Sequence, residues 1–424
     1  MRFENFIYKD NLLHCENASL ISIANEVGTP FYVYSKKTMI DRFKAFQKAF
    51  EDIPHRIHYA VKASSNLNII KLFYSLGAGL DVNSGGELYR ALKAGAKPEN
   101  ILFTGVGKTE EEILLGLQND VFLFKIESFQ ELELLNELAR AVKKIANIAI
   151  RINPDVDPRT HPYITTGLYE SKFGIAQELA IDAFKFARSL NNLRILGIDM
   201  HIGSQITNVS AFREAIKIMN DLILQLRKIG IEIEHFDVGG GLGVQYGEEP
   251  VPDVFDYANA IKDDLKKSGC KIIFEPGRYL TADAGALITK TLYLKSNRNK
   301  NFLVVDAAVN DLMRPALYDA YHHILPVLNE NRNRVIYDIV GPACETGDFF
   351  AKERNFVETK SGELIAIMSA GAYGFCMSSN YNSRRRVPEI MVDGDKFFVI
   401  RERESFDDLI KGEKLINELF FTEL

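Results

Sequence analysis

Ionisable side chains close several short apolar runs of the chain. Lys62 ends the alternation in "HYAVKASSN", and Glu275 closes "KIIFEPGR". A lysine amine at such a position could form a Schiff base with an aldehyde or bind a phosphate as a cation. Taken singly, each such residue is more often a solvated loop side chain or a satisfied core group. Seven ends of this kind together predict one site: Lys62, Asp81, Glu127, Arg151, His201, the glycines Gly239, Gly240 and Gly241, and Glu275.

A glycine-rich stretch, "DVGGGLGVQYG" at 237–247, removes side chains from the end of another apolar run. Backbone N–H groups can approach an anion closely there. Alone the stretch is a weak signal, because it is more often a turn and no G-x-G-x-x-G fingerprint with a following acidic residue is present. The next run ends in "EPGR", which adds Gly277. The two neighbouring loops together predict a phosphate site.

A lysine beside a phosphate site predicts pyridoxal phosphate as the cofactor. The alternative is a lysine that binds a substrate phosphate, as in aldolase-type or isomerase-type barrels. Glu275 favours the cofactor, because a carboxylate that faces the pyridine nitrogen keeps it protonated. The protonated ring is the strong electron sink that decarboxylation needs. A flat imidazole such as that of His201 could stack on the ring.

Charge and composition favour a small-molecule partner. Lys and Arg total 51 against 57 Asp and Glu, and the net charge of -6 offers no basic field for nucleic acid or an anionic membrane. No apolar run approaches the roughly eighteen residues of a membrane span, and the N-terminus lacks a signal core. The cysteines have no metal-site or disulfide spacing, so we expect no metal site, reduced thiols and a cytoplasmic protein. They are Cys15, Cys270, Cys344 and Cys376.

The elements that must position these residues are parallel βα units. From residue 30 to about 280, β-rich runs alternate with amphipathic helical patterns such as 128–144. Eight runs are the number that closes a barrel, whose functional face is the carboxyl end of the strands. The runs are 56–63, 78–84, 100–105, 121–128, 147–154, 193–203, 234–241 and 271–278.

Beyond residue 280 the pattern changes to β-rich runs joined by Gly, Asn and Asp turns, and "DGD" at 393–395 signals a hairpin. We therefore predict an α/β fold with two domains. A (β/α)8 TIM-type barrel covers 30–280 and binds the cofactor. A mostly antiparallel β-barrel or sandwich domain is built from both chain ends, 1–29 and 281–424.

Eight ordered motifs between about residues 20 and 420 resemble those of the diaminopimelate decarboxylase family. They are "YAVKA", "RINP" with "THPYITTGLYESKFGI", "HIGSQI", "GGGLGVQY", "EPGR", "RPALYDAYH", "GPACETGD" and "GAYGFCMSSNYNSRRR". The resemblance implies a pyridoxal-phosphate-dependent barrel of the alanine racemase type. It also implies a homodimer with active sites at its interface. The implied reaction converts meso-2,6-diaminopimelate to L-lysine and carbon dioxide, in lysine biosynthesis.

The resemblance also implies roles in cofactor binding. Lys62 would be the Schiff-base lysine, Glu275 the partner of the pyridine nitrogen, and His201 the residue stacked on the ring. Asp81 and Arg151 would line the cofactor pocket. The phosphate contacts implied by the resemblance are Ser204, Gly240, Gly241, Glu275, Pro276, Gly277, Arg278 and Tyr373.

Further implied roles concern the substrate. Arg278, Arg314 and Tyr318 would bind its distal carboxylate, with Tyr373 also in contact. Cys344 would donate a proton after decarboxylation, and Glu345 would bind the distal amino group. In the family, their loop enters the neighbouring subunit's site. The motif departs from the expected pattern at Thr346, where a serine is usual, and a hydroxyl is kept.

Three alternatives stay open at this point. Another decarboxylase could act on ornithine, arginine or carboxynorspermidine, although the two arginines favour a substrate with a second amino-acid end. An amino-acid racemase would be better served by a weaker electron sink than Glu275 provides. A non-catalytic pyridoxal phosphate carrier would have no need of Cys344.

Overall fold

The computed structural model describes residues 3–157, 166–167, 171–298, 300–416 and 419. Most of the motif "THPYITTGLYESKFGI", at residues 160–175, therefore lies outside the described residues. No helix within the described ranges is long and apolar enough to cross a membrane.

Eight parallel strands close into a barrel, as the sequence predicts. Each strand pairs with the next along the chain, and the eighth pairs with the first. A two-residue strand, Ile175–Ala176, adds to the fifth. In chain order the barrel strands are His55–Ala60, Gly79–Val82, Ile101–Phe103, Leu123–Ile126, Ala146–Asn153, Leu193–Asp199, His235–Asp237 and Lys271–Phe274.

Helices follow the barrel strands and cover the outside of the barrel. Short polar side chains start several of them: Ser84, Thr109 and Ser128 each accept a hydrogen bond from a backbone N–H in the first turn. The helix predicted within 128–144 spans Phe129–Ala141. A helix at Lys36–Ala49 precedes the barrel, and the others are Leu67–Ser75, Gly85–Lys93, Glu110–Gln118, Phe129–Ala141, Ala180–Ser189, Val209–Lys228, Val254–Ser268 and Arg278–Thr281.

The barrel interior changes from apolar to charged along the strands. Leu123, Ala149 and Ile273 belong to one apolar cluster inside the barrel. Because side chains on a strand face the same side every second residue, the next inward residues on those strands are Lys125, Arg151 and Glu275. The strand alternation therefore places charged groups at the carboxyl ends of the strands, which we call the barrel mouth.

The second unit is a mostly antiparallel sheet built from both ends of the chain. Strand Phe31–Ser35, which a boundary at residue 30 would assign to the barrel, lies between Gly285–Asn297 and Glu389–Asp393 in this sheet. The hairpin predicted at 393–395 is confirmed, because Asp393 pairs with Lys396. The other strands of this sheet are Lys300–Val305, Ile324–Pro326, Arg334–Val340, Phe349–Val357, Leu364–Ile367 and Lys396–Arg401.

A separate small sheet near the N-terminus contains the strands Phe6–Lys9, Leu12–Cys15 and Ala18–Ser19. The short helices outside the barrel are Leu20–Val27, Arg314–Tyr318 and Phe406–Leu409.

His58 is a buried imidazole in the first barrel strand. Neither of its ring nitrogens has a hydrogen-bond partner among the described residues, and burial lowers its pKa to about 3. The unfolded chain binds a proton near pH 6.5 and the folded chain does not, so stability is lost as the pH falls below that value. Between pH 7 and pH 5, the free energy of unfolding of the wild type should fall by about 2 kcal/mol more than that of His58→Leu.

Urea unfolding at the two pH values measures this difference. His14→Leu, at a half-buried histidine of the small sheet, is the matched control and should follow the wild type. Equal losses in His58→Leu and the wild type would show that His58 does not contribute to the pH dependence.

Candidate active site

Lys62 lies on a single turn of 3-10 helix, Val61–Ala63, directly after the first barrel strand. Its partly buried amine makes no hydrogen bond or ion pair with any described residue. Burial alone would lower the pKa of Lys62, but the charges of Asp81 and Tyr373 raise it above its ordinary value. The fold therefore holds an unpartnered amine at the barrel mouth.

Gly277, in the loop after the eighth strand, packs against the turn that carries Lys62. A Cβ at Gly277 would lie 2.8 Å from the Cβ of Ala63 and 3.1 Å from that of Ala60. Such contacts are too short for any side chain, so glycine is required at this position. The close approach fixes the lysine turn relative to the predicted phosphate loop.

Glu275 is buried at the end of the eighth strand and forms an ion pair with Lys125. The Lys125 Nζ also lies 2.8 Å from Asp199 Oδ1 and 2.6 Å from Asp237 Oδ2. Burial raises the pKa of Glu275, and the nearby Asp237 and Asp81 raise it further. The three carboxylates at Asp199, Asp237 and Glu275 therefore share one central ammonium.

Lys125, Asp199 and Asp237 are not among the strand-end residues predicted from the sequence. A signal was present, because each is a charged residue inside an apolar run: "VFLFKIES", "GIDMH" and "HFDVG". In a strand of such a run, an inward charge requires a partner across the barrel.

Asp81 and Arg151 both lie at the barrel mouth, each held by a neighbouring strand. The Thr104 hydroxyl donates a hydrogen bond of 2.5 Å to Asp81. Arg151 donates to Glu127 at 3.1 Å, and its guanidinium lies 4.9 Å from the centre of the Phe173 ring. Both side chains are therefore fixed before any ligand binds.

His201 lies just beyond the sixth strand, and its Nδ1 accepts a hydrogen bond of 3.2 Å from the backbone N–H of Gly240. Burial lowers the pKa of His201 well below its usual range, and the charges of Lys62 and Arg151 lower it further. The imidazole is therefore neutral and carries its proton on Nε2. A neutral, held ring suits stacking on a flat cofactor.

The loops after the seventh and eighth strands form a cradle without side chains. Gly239 and Gly241 have φ angles of 72° and 108°. A Cβ at Gly240 would lie 2.3 Å from the carbonyl oxygen of Glu275. A small cavity next to the loops is lined by their residues from Gly239 to Leu242 and from Pro276 to Tyr279, and on its other side by Phe46 and Tyr257. Backbone N–H groups with one guanidinium fit the phosphate of pyridoxal phosphate.

Tyr246, which the sequence analysis did not single out, brings two predicted arginines together. Arg278 donates to the Tyr246 hydroxyl at 2.8 Å, and the Arg314 guanidinium lies 4.3 Å from the centre of the same ring. Arg278 also donates to Ser204 Oγ at 3.0 Å and 3.3 Å. Both arginines are buried, and neither pairs with a carboxylate in the part of the chain that the structure describes. Two such cations indicate a site for an anionic group.

Tyr373 and Tyr318 lie beside the same arginines. The Tyr373 N–H donates to the carbonyl oxygen of Ala63 at 2.8 Å, and the Arg278 guanidinium lies 4.7 Å from the Tyr373 ring centre. Tyr318 ends the short helix that begins at Arg314. Burial raises the pKa of Tyr373, so its hydroxyl remains protonated and able to donate.

Cys344 and Glu345 lie away from this group, on an exposed loop between two strands of the second sheet. The Cys344 N–H donates to Asn382 Oδ1 at 2.7 Å. Asp348 holds the loop by accepting from the N–H of Ala343 at 2.6 Å. Within the described residues of a single chain, neither Cys344 nor Glu345 makes a hydrogen bond or ion pair with the residues at the barrel mouth.

A family model described as "Pyridoxal-dependent decarboxylase, pyridoxal binding domain" matches residues 36–282. A diaminopimelate decarboxylase of Aquifex aeolicus is 48% identical over 407 residues, which cover 95% of this chain and 96% of the relative. The crystal structure of diaminopimelate decarboxylase from Helicobacter pylori complexed with L-lysine is 41% identical, with a TM-score of 0.89, and the match covers 92% of this chain and 98% of that one.

The crystal structure of diaminopimelate decarboxylase from M. jannaschii in co-complex with L-lysine has a TM-score of 0.94 at 37% identity. That match covers 99% of this chain and 100% of the other. In each of these comparisons the similarity covers more than nine-tenths of both proteins. The chain belongs to the diaminopimelate decarboxylase family of pyridoxal-dependent decarboxylases.

Proposed function

We propose that the chain removes carbon dioxide from the D-configured centre of meso-2,6-diaminopimelate and releases L-lysine. The observation that carries this proposal is the buried pair Arg278 and Arg314, which have no carboxylate partner in the described residues. A substrate with a second amino-acid end supplies the missing anion. Bound pyridoxal phosphate supplies the electron sink that stabilises the carbanion left by carbon dioxide.

Residues of the barrel mouth hold the cofactor. The Lys62 amine would hold its aldehyde, Glu275 would be the partner of the ring nitrogen, and the neutral imidazole of His201 would lie against the ring. Asp81 and Arg151 line the pocket in positions that their neighbours already hold. The glycine cradle binds the phosphate, together with Ser204, Pro276, Gly277, Arg278 and Tyr373.

The distal carboxylate of the substrate binds between Arg314 and Arg278, within reach of the Tyr318 and Tyr373 hydroxyls. Arg314 is the stronger candidate, because its Nε is buried and has no hydrogen-bond partner among the described residues. The guanidinium lies on the ring of Tyr246 and its Nη1 lies 3.3 Å from His322 Nε2, so Nε is the donor left for a carboxylate.

Two chains form the working enzyme as a homodimer. Cys344 is the proton donor, and Glu345 binds the distal amino group. Both lie on an exposed loop that Asp348 holds at its base, and in our proposal this loop enters the site of a partner chain. The thiol of Cys344 must stay reduced to donate a proton, which favours the cytoplasm as the location of the enzyme. Our proposed division of the chain is a barrel at 30–280 and a β domain at 1–29 and 281–424, except that strand Phe31–Ser35 belongs to the sheet of the β domain.

A substrate panel tests the function. Carbon dioxide release from meso-diaminopimelate is compared with release from lysine, ornithine, arginine and carboxynorspermidine, all with pyridoxal phosphate present. We expect kcat/KM for meso-diaminopimelate to exceed the others by about 100-fold, because each of the others lacks the second amino-acid end. A higher kcat/KM for any of the others would replace the substrate assignment.

Arg314→Met is expected to raise KM for meso-diaminopimelate by about 10-fold to 100-fold, since one charge-assisted contact to the distal carboxylate is lost. The folded protein should be no less stable, because a buried unpaired cation is removed. Steady-state kinetics and thermal unfolding measure the two effects. Arg334→Met, at an arginine of the second sheet that contacts Asn355, is the control. A KM within threefold of the wild-type value would exclude Arg314 from the substrate site.

A further inference from the structure

Lys125 lies in the fourth barrel strand, outside every role assigned above. We infer that Lys125 is a positioning residue that holds one oxygen of Glu275, directs the other toward the cofactor ring nitrogen, and favours the ionised form of this carboxyl group. The inference rests on the proposed role of Glu275 as the partner of that nitrogen.

The first support is the geometry around the ammonium. Lys125 Nζ donates to Glu275 Oε1 and, at 2.8 Å, to Asp199 Oδ1. It also forms an ion pair with Asp237, whose Oδ2 lies 2.6 Å away. Glu275 Oε2 makes no hydrogen bond to any described residue, so it is the oxygen left for a ligand.

The second support is the burial of the cluster. The side chains of Lys125, Asp199 and Asp237 are 0–1% exposed, and that of Glu275 is 5% exposed. Water therefore cannot replace the ammonium, and Glu275 is the member with the most access to the site. The cluster lies beneath the barrel mouth, and the carboxyl group of Glu275 is the part of the cluster that faces the mouth.

Lys125 acts on Glu275 through the positive charge of its ammonium group. Glu275 and the ring nitrogen share one proton, and a cation beside the carboxyl group favours the arrangement with that proton on nitrogen. Asp199 and Asp237 oppose this by their negative charges. The titratable and charged groups around the cluster are His58, Lys62, Asp81, Glu127, Lys125, Arg151, Asp199, His201 and Asp237.

The test reads the ring nitrogen itself. The enzyme is reconstituted with pyridoxal phosphate carrying ¹⁵N in the ring, and its ¹⁵N chemical shift is recorded from pH 6 to pH 9. We expect the pyridinium range for the wild type and a shift toward the neutral-pyridine range for Lys125→Met. Lys125→Met with Asp237→Asn restores the formal charge of the cluster and should recover at least half of that shift.

Lys144→Met is the control, because Lys144 is a partly buried lysine that pairs with Asp120 at 2.7 Å and donates to the carbonyl oxygen of Leu117, without contact to the cluster. It should destabilise the protein and leave the ¹⁵N shift unchanged. Should Lys125→Met fail to fold, Lys125→Gln replaces it, since glutamine keeps a donor and removes the charge. The same displacement of the signal is expected for it.

An unchanged ¹⁵N shift in the Lys125 variant would overturn the inference, as would a displacement that Asp237→Asn does not reduce. Glu275→Gln separates this failure from failure of the proposed role of Glu275, and the substrate panel tests the proposed function independently. If Glu275→Gln moves the signal and the Lys125 variant does not, only the role of Lys125 is wrong. If Glu275→Gln leaves the signal in place, Glu275 does not face the ring nitrogen and both assignments fail.

Discussion

Lys62→Ala is expected to lower turnover by about 10⁴-fold or more and to remove the absorbance of bound pyridoxal phosphate. The amine at this position is the one group at the barrel mouth that can bond the cofactor aldehyde without first breaking a contact within the described chain. Its loss also removes a proton-transfer group from the site. Carbon dioxide release and the absorbance spectrum after gel filtration measure both effects.

Lys71→Ala is the control, because Lys71 is an exposed lysine on the helix that follows the same strand. It should keep wild-type turnover and absorbance. Retention of bound cofactor and turnover in Lys62→Ala would show that another amine carries the cofactor, and the assignment of the site would then be wrong.

Cys344→Ala is expected to keep the absorbance of the bound cofactor and to lose about 10²-fold to 10⁴-fold in turnover. The physical reason is that a positioned thiol supplies the proton that replaces the lost carboxylate. The thiol contributes nothing to cofactor binding in our proposal, so the two measurements separate. Cys270→Ala, at a half-buried cysteine packed near Arg227, should retain activity.

Mixing the Lys62 and Cys344 variants tests whether the exposed loop serves a partner chain. Random exchange of two subunits gives half heterodimers, and each heterodimer has one site with both native residues. About a quarter of the wild-type activity should therefore return. Absence of recovery after confirmed subunit exchange would mean that each chain completes its own site.

The barrel could be predicted because its signals are local. Each run such as 56–63 or 271–278 is short and largely apolar, an amphipathic helix separates it from the next, and the polar residues near its carboxyl end must lie at the mouth. The positions of Lys62, Arg151 and Glu275 at the strand ends follow from this alternation alone. Their grouping required only that eight such runs form one closed sheet.

Other features depend on contacts between distant residues. Tyr246 lies in a loop with no strand end to mark it, and its importance comes from the two arginines that contact it. Lys125 lies inside an apolar run, and no local pattern shows which carboxylates it meets across the barrel. Strand Phe31–Ser35 precedes the barrel in the chain, yet its hydrogen-bond partners are near residues 285 and 389.

The position of Phe31–Ser35 between two late strands has a consequence for synthesis on the ribosome. This segment emerges early, but its antiparallel neighbour begins at Gly285 and its parallel neighbour at Glu389. The nascent chain must therefore carry an apolar strand with unsatisfied edges while the barrel that follows it is completed. Translation pauses after the barrel would lengthen this exposure, and a chaperone that covers short apolar segments would be most useful in that interval.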